Sequence, residues 1–182
     1  MSPFRFYIQQ LHFDGENYLR GSLFETYADF GAACKEFKDN FMPEAKNLAT
    51  RDWIGKDGLE VYVPDRLRLK EFNTEAEFII TGNPTMADDE ATYDAMSRRN
   101  SFIRMLYGRN TGAVGARLAI YDEHSGLGYK DVVVSKVEPD VSGRQQGGNE
   151  AVYVLKVSFT IYDPVTDVSL GMRGTEVEQL IW

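Results

Sequence analysis

The sequence predicts a mainly β protein with one helix (α+β): an antiparallel β-sandwich or open barrel, flanked by an α-helix at about residues 88–107. Several segments alternate apolar and polar residues with a period of two, as a strand does when one face is buried. One segment alone has helical spacing with matched start and stop signals. Long polar, glycine-containing turns separate the strands, so neighbours in sequence can pair antiparallel.

In chain order, FRFYIQQL (4–11) is a weak strand candidate. FETYADFGAACKEFKDN, within 24–47, fits either a helix with a glycine inside it or two extended pieces, and extended or irregular structure is the favoured reading. LEVYV places Leu59, Val61 and Val63 on one face, and Lys56-Asp57-Gly58-Leu59 before it is a favoured hairpin turn. TEAEFII alternates Ala76, Phe78 and Ile80 with Glu75 and Glu77. The helix follows, from about Asp88 to Tyr107. Asp88, Asp89 and Glu90 lie in its first turn, Arg98, Arg99 and Arg104 come late, and Gly108 is the expected left-handed stop. Met96, Phe102, Ile103 and Leu106 form its expected core stripe. ARLAIY and YKDVVVSKVE are strands joined by a turn within YDEHSGLGY (121–129). AVYVLKVSFTIY (151–162) is the clearest strand, with Tyr153, Leu155, Val157, Phe159 and Ile161 inward and Lys156, Ser158 and Thr160 outward. Between these last two strands, Ser142 to Glu150 predicts a polar hairpin arm, and VSLGM (168–172) is a weak final strand. Nothing splits the 182 residues into separate units, so one domain is expected.

The charge balance, 20 Lys and Arg against 28 Asp and Glu for a net −8, opposes a broad basic face that grips nucleic acid. Cys34 is the sole cysteine, so no internal disulfide is possible. The N-terminus has no signal-peptide pattern, and no stretch approaches the roughly 20 apolar residues of a membrane helix. A soluble chain made in the cytoplasm is expected.

No motif specifies a chemistry. ATRDWIGKDGLEVYVP (49–64) has two Asp, but counting from Asp52 an EF-hand would need oxygen ligands where Ile54 and Lys56 stand. His12 and His124 are the only histidines, and with one cysteine they make a poor zinc set. No G-x-S-x-G elbow or Walker loop occurs, and nothing in the sequence places Cys34 beside a histidine. Gly126-Leu127-Gly128 lacks the third glycine of a dinucleotide fingerprint. Arg98, Arg99 and Arg104 fit a solvated or inter-subunit helix face better than a phosphate strip. No catalytic, cofactor-binding or metal residue is assigned, and no enzyme activity is expected.

The order of segments resembles tail structural proteins of long-tailed bacteriophages and prophages, the distal tail protein and tail tube group. The likeness runs from about 45 to 168. It consists of the RDW-x-G-x-DG-L-x-VY corner at Arg51 to Tyr62, LRLKEFNTEAEFIITG, a helix ending SFIRMLYG, GARLAIYD, GYKDVVVSKVEPD and KVSFTIYDPVTDV. The resemblance implies a sandwich or barrel flanked by a helix, assembling as hexameric rings around a DNA channel. It implies partners that are copies of the chain and other tail proteins, with no membrane and no sequence-specific nucleic-acid contact. It places the protein in the virion tail, and in the bacterial cytoplasm before assembly. Distal tail proteins commonly add a C-terminal domain, whereas this sequence stops at Trp182 soon after its closing strand. A tube-like or truncated role is therefore as compatible as a full distal one. Arg144, Gln145 and Gln146 on the polar arm are the expected subunit-contact residues, so deleting 143–149 should weaken assembly but not thermal stability. An acidic lumen that DNA crosses without sticking would suit the charge balance.

Two other classes compete. A carbohydrate-binding or adhesive β-sandwich would use exposed aromatics such as Trp53 and Tyr129. A glycosidase-like hydrolase would need two carboxylates brought together in space.

Overall fold

The computed structural model describes residues 5–38, 43–52, 54, 57–83, 85–144 and 151–182. These residues form eleven strands and two helices: β1 (Phe6–Phe13), β2 (Tyr18–Glu25), α1 (Thr26–Phe30), β3 (Ala32–Lys38), β4 (Ala49–Asp52), β5 (Leu59–Tyr62), β6 (Phe72–Thr81), α2 (Asp88–Leu106), β7 (Arg117–Asp122), β8 (Leu127–Arg144), β9 (Ala151–Asp167), β10 (Ser169–Arg173) and β11 (Glu176–Ile181). Seven strands make one sheet in the order β2-β1-β7-β8-β9-β6-β3, and β10–β11 and β4–β5 are separate two-stranded ribbons. Every neighbouring pair in the large sheet is antiparallel. The mainly β, α+β reading is what the chain adopts.

The sheet curls into an open barrel. Four strands separate β1 from β3 in the sheet order, yet Phe6 on β1 lies 5.5 Å from Phe37 on β3, centroid to centroid. The edge strands β2 and β3 are consecutive in sequence, and α1 spans the gap between them. This five-residue helix is a second helix that the sequence pattern does not reveal. It ends at Gly31, whose φ of 62° is left-handed. The expectation of extended structure in 24–47 holds for β3 and misses α1.

The core lies between the concave face of the sheet and α2. Phe24, Phe30, Phe102, Phe78, Phe6, Phe37, Tyr129 and Phe72 form an unbroken run of rings, with successive centroids 5.0 to 6.3 Å apart. Tilted and edge-on contacts of this kind add attraction beyond the burial of their area. From β9, Leu155, Val157, Phe159 and Ile161 point into this core, as do Ala76, Phe78 and Ile80 from β6. Both sets match the alternation in the sequence. Phe102, Met105 and Leu106 face inward from α2, together with Ala91 and Ala95. Met96 does not: it is exposed, which corrects the expected stripe. Small side chains let the helix start sit close against the end of β6. A Cβ built on Gly82 would come within 2.1 Å of the carbonyl oxygen of Ala91.

The helix stop is as expected. Gly108 adopts a left-handed φ of 62°. Its N–H donates to the carbonyl of Met105, and that of Arg109 to the carbonyl of Arg104. These two bonds make a Schellman motif. The buried Gln10 Nε2 reaches the same end, donating to the Met105 carbonyl at 2.9 Å and to Asn110 Oδ1 at 2.6 Å.

On the opposite side of the sheet, the β10–β11 ribbon covers β1 and its neighbours. Tyr7, Leu11, Ala119, Val168 and Leu180 form a second apolar cluster there. The Leu180 N–H donates to Gln9 Oε1 at 2.9 Å, tying ribbon to sheet. β1 is therefore buried on both faces from Phe6 to Leu11, and a strand covered on both sides has no reason to alternate. The rest of the outer face is a charge ladder. Lys38 and Lys156 both reach Glu75, at 3.1 and 3.0 Å, and Lys35 pairs with Glu77 at 2.5 Å.

Candidate functional site

The β4–β5 ribbon is the most distinctive surface of the chain. Its register, Ala49↔Tyr62 to Asp52↔Leu59, makes a hairpin at the place the sequence predicts one. Six residues, 53–58, connect its strands, so Asp57-Gly58 is not the tight two-residue turn expected; Gly58, at a φ of 91°, leads into β5. At its root an isolated bridge pairs Ala45 with Leu69. The Lys46 N–H donates to the Arg68 carbonyl at 2.6 Å, the Lys70 N–H to the Glu44 carbonyl at 2.7 Å, and Lys70 Nζ pairs with Glu44 at 3.0 Å. Beyond that root the ribbon stands off the body. Between Ala49 and Val63, every residue whose side chain is described is exposed.

That exposure corrects one sequence expectation. Leu59, Val61 and Val63 alternate like a core-facing strand, but Val61 and Val63 are 45% and 64% exposed, and Tyr62 between them is 70% exposed. Ile54 and Leu67 are exposed as well. Scattered single exposed hydrophobics are ordinary, but a cluster on one projection marks an interaction surface. A two-stranded ribbon is at best marginally stable by itself in water, so a cover for this one would stabilise it.

The expected subunit-contact residues cannot be placed in the same detail. Arg144 ends β8, paired with Ala151 at the start of β9. Gln145 and Gln146 lie outside the described residues, as does Trp53. Tyr129, the other aromatic considered for sugar stacking, is only 8% exposed and packs on Phe72 and Phe37. A ring committed to the core offers no stacking face to a sugar.

Two of the concavities away from the ribbon bear on chemistry. An open trough of about 560 Å³ on the charge ladder is lined by Lys38, Asn73, Thr74, Glu75, Ser135, Lys136 and Ser158. Several of its polar groups are engaged: Ser135 Oγ donates to the Ser158 carbonyl at 3.0 Å, Lys38 pairs with Glu75, and Lys136 pairs with Glu138 outside the trough at 2.6 Å. A second cavity, of about 260 Å³, brings Cys34 together with Asp122, His124 and Ser125. The sequence gives no hint of that meeting, which β3 and the β7–β8 turn create.

The chemistry of this second cavity is that of a resting thiol. Burial, and then the negative charge of Asp122, push the Cys34 thiol up to about 12. Its S–H donates to the Glu36 carbonyl at 3.7 Å. Asp122 instead shapes the turn, its carboxylate accepting the backbone N–H groups of His124 and Ser125. A nucleophilic cysteine needs the opposite electrostatics. At pH 8 the thiolate population should be about a thousandfold below that of an ordinary thiol. Cys34 should therefore react with a disulfide reagent orders of magnitude more slowly than free cysteine in the folded protein, and at the ordinary rate in denaturant. Fast labelling of the native protein would contradict this assignment.

The helix arginines are dispersed. Arg98 pairs with Asp94 at 2.8 Å, Arg99 sits 4.6 Å over the Tyr153 ring, and Arg104 is exposed in the last turn. They do not converge as a phosphate strip would. Among the described residues, no group of three or more His, Cys, Asp and Glu side chains is placed to hold a metal ion. Among the same residues, no helix is long and apolar enough to cross a membrane.

No protein-family model matches the chain, and no curated protein matches it significantly.

Proposed function

We propose that the chain is a non-enzymatic structural subunit of a phage-like tail, a tube or distal tail component that assembles with copies of itself into rings around a DNA channel. The observation that carries this reading is the exposed, apolar-bearing β4–β5 ribbon. Such a projection stabilises a protein only when something covers it. The resemblance of segment order to tail proteins supplies the kind of assembly. The excess of acidic residues suits a channel through which DNA passes without adhering. On this reading the partners are other copies, as hexamers, and further tail proteins. The place of action is the virion tail, after synthesis in the bacterial cytoplasm.

Size-exclusion chromatography with light scattering, followed by negative-stain imaging, tests the proposal. Rings or tubes that grow with protein concentration are the expected result. A particle that remains monomeric at high concentration and shifts in a glycan-binding titration would replace the proposal with the adhesive β-sandwich.

A further inference from the structure

We infer that the β4–β5 ribbon of one copy docks on the outward face of the first half of α2 in a second copy, joining the chains head to tail. The inference rests on the self-assembly proposed above and names the two surfaces that meet.

The α2 surface is another exposed apolar patch among the described residues. Tyr93 and Met96 are 73% and 37% exposed, and Met86 just before the helix is 43% exposed. Asp89, Glu90 and Ser97 are exposed with them. From Asp89 to Ser97 the spacing of three and four residues puts these side chains on one side of the helix. Both patches therefore combine apolar side chains with charge.

Their charges differ in a way that favours the contact. Residues 44–70 hold six Lys and Arg against five Asp and Glu, while the rest of the chain holds fourteen against twenty-three. The ribbon segment is thus close to neutral within an acidic chain, as is not true of the start of α2, where Asp88, Asp89, Glu90 and Asp94 precede Arg98. Two copies of a protein at −8 repel each other most when acidic surface meets acidic surface. Ribbon against helix avoids that, with Arg66 and Arg68 brought towards Asp89 and Glu90 while Tyr62 covers Tyr93 and Met96.

Position favours a second copy over docking within one chain. The ribbon returns to the sheet directly before β6 begins at Phe72, and α2 starts shortly after β6 ends at Thr81. The close approach of Gly82 to Ala91 fixes the helix start at that far end. The ten residues of β6 separate the two surfaces by about 30 Å, at about 3.3 Å per residue. Donor and acceptor at opposite ends of one molecule form a heterologous contact, which closes into rings or propagates as a filament. The span from Ala49 to Arg68 also has the size, about 20 residues, that one partner gives to a standard interface.

Two variants and their mixture test the inference. The ribbon variant carries Tyr62→Asp and Arg66→Glu, and the helix variant carries Tyr93→Lys and Met96→Lys. All four positions are exposed, so both variants should melt close to the parent protein. Each alone should need more than about tenfold higher concentration to assemble, as expected when an aromatic anchor is lost from an interface. Mixed in equal amounts, they should form dimers that grow no further, since one intact ribbon meets one intact helix face. Variants that assemble like the parent, or a mixture that stays monomeric, would overturn the inference while leaving self-assembly standing. A parent chain that is itself monomeric at every concentration would overturn both.

Discussion

Replacing Phe102 with alanine should lower folding stability by about 3–5 kcal/mol, the usual cost of emptying an aromatic site in a packed core. Phe102 is completely buried. Its ring lies 5.6 Å from Phe30 and 5.0 Å from Phe78, centroid to centroid. It thereby joins α1, α2 and β6. Loss of the ring leaves a cavity that the stiff sheet on one side cannot collapse to fill. Denaturant unfolding followed by far-ultraviolet circular dichroism measures the effect. A loss below about 1 kcal/mol would mean that α2 is not anchored as described.

Gly82→Ala should be nearly as damaging, for a different reason. The added Cβ would lie 2.1 Å from the Ala91 carbonyl oxygen and 2.9 Å from its carbonyl carbon. Both are backbone atoms of a helix, so no side chain can rotate away, and the start of α2 must move. Overpacking of this kind costs about 1–3 kcal/mol. Shortening Ala91 to glycine in the same chain should give no rescue, because the clash is with backbone and not with its methyl group. A Gly82→Ala protein that melts like the parent would refute the close approach of α2 to β6.

Where a sheet segment has one covered face, its placement is written in the sequence. β6 and β9 alternate because Glu75, Glu77, Lys156 and Ser158 stay on the outer face while Phe78, Ile80, Leu155 and Phe159 enter the core. β1 was hard to read for the opposite reason: β10–β11 covers the outside of a strand whose inside already faces the core. Period alone also cannot tell a core strand from a projecting one. LEVYV alternates as well as a core strand does, but the chain on either side of it holds it away from the body. The apolar stripe of α2 misled through size, since Ala91 and Ala95 make the close contact while the larger Met96 points outward.

The candidate site was less legible than the fold. That a hairpin stands near Asp57-Gly58 could be read from turn chemistry, but not its six-residue connection, since the strands close only at Asp52↔Leu59. Whether that hairpin is covered or exposed depends on the whole topology. The meeting of Cys34 with His124 depends on two elements far apart in the chain. Neither fact has a local signal. The pairing of the ribbon with the face of α2 has one partial sequence signal, the even charge of 44–70 within an acidic chain.

The most direct measurement of the central claim is sedimentation velocity of the full chain over a wide concentration range, with negative-stain images of the same samples. The account predicts a reversible rise from monomer to closed rings or short tubes as concentration increases. A single monomeric species throughout, with no ordered particles on the grid, would contradict it.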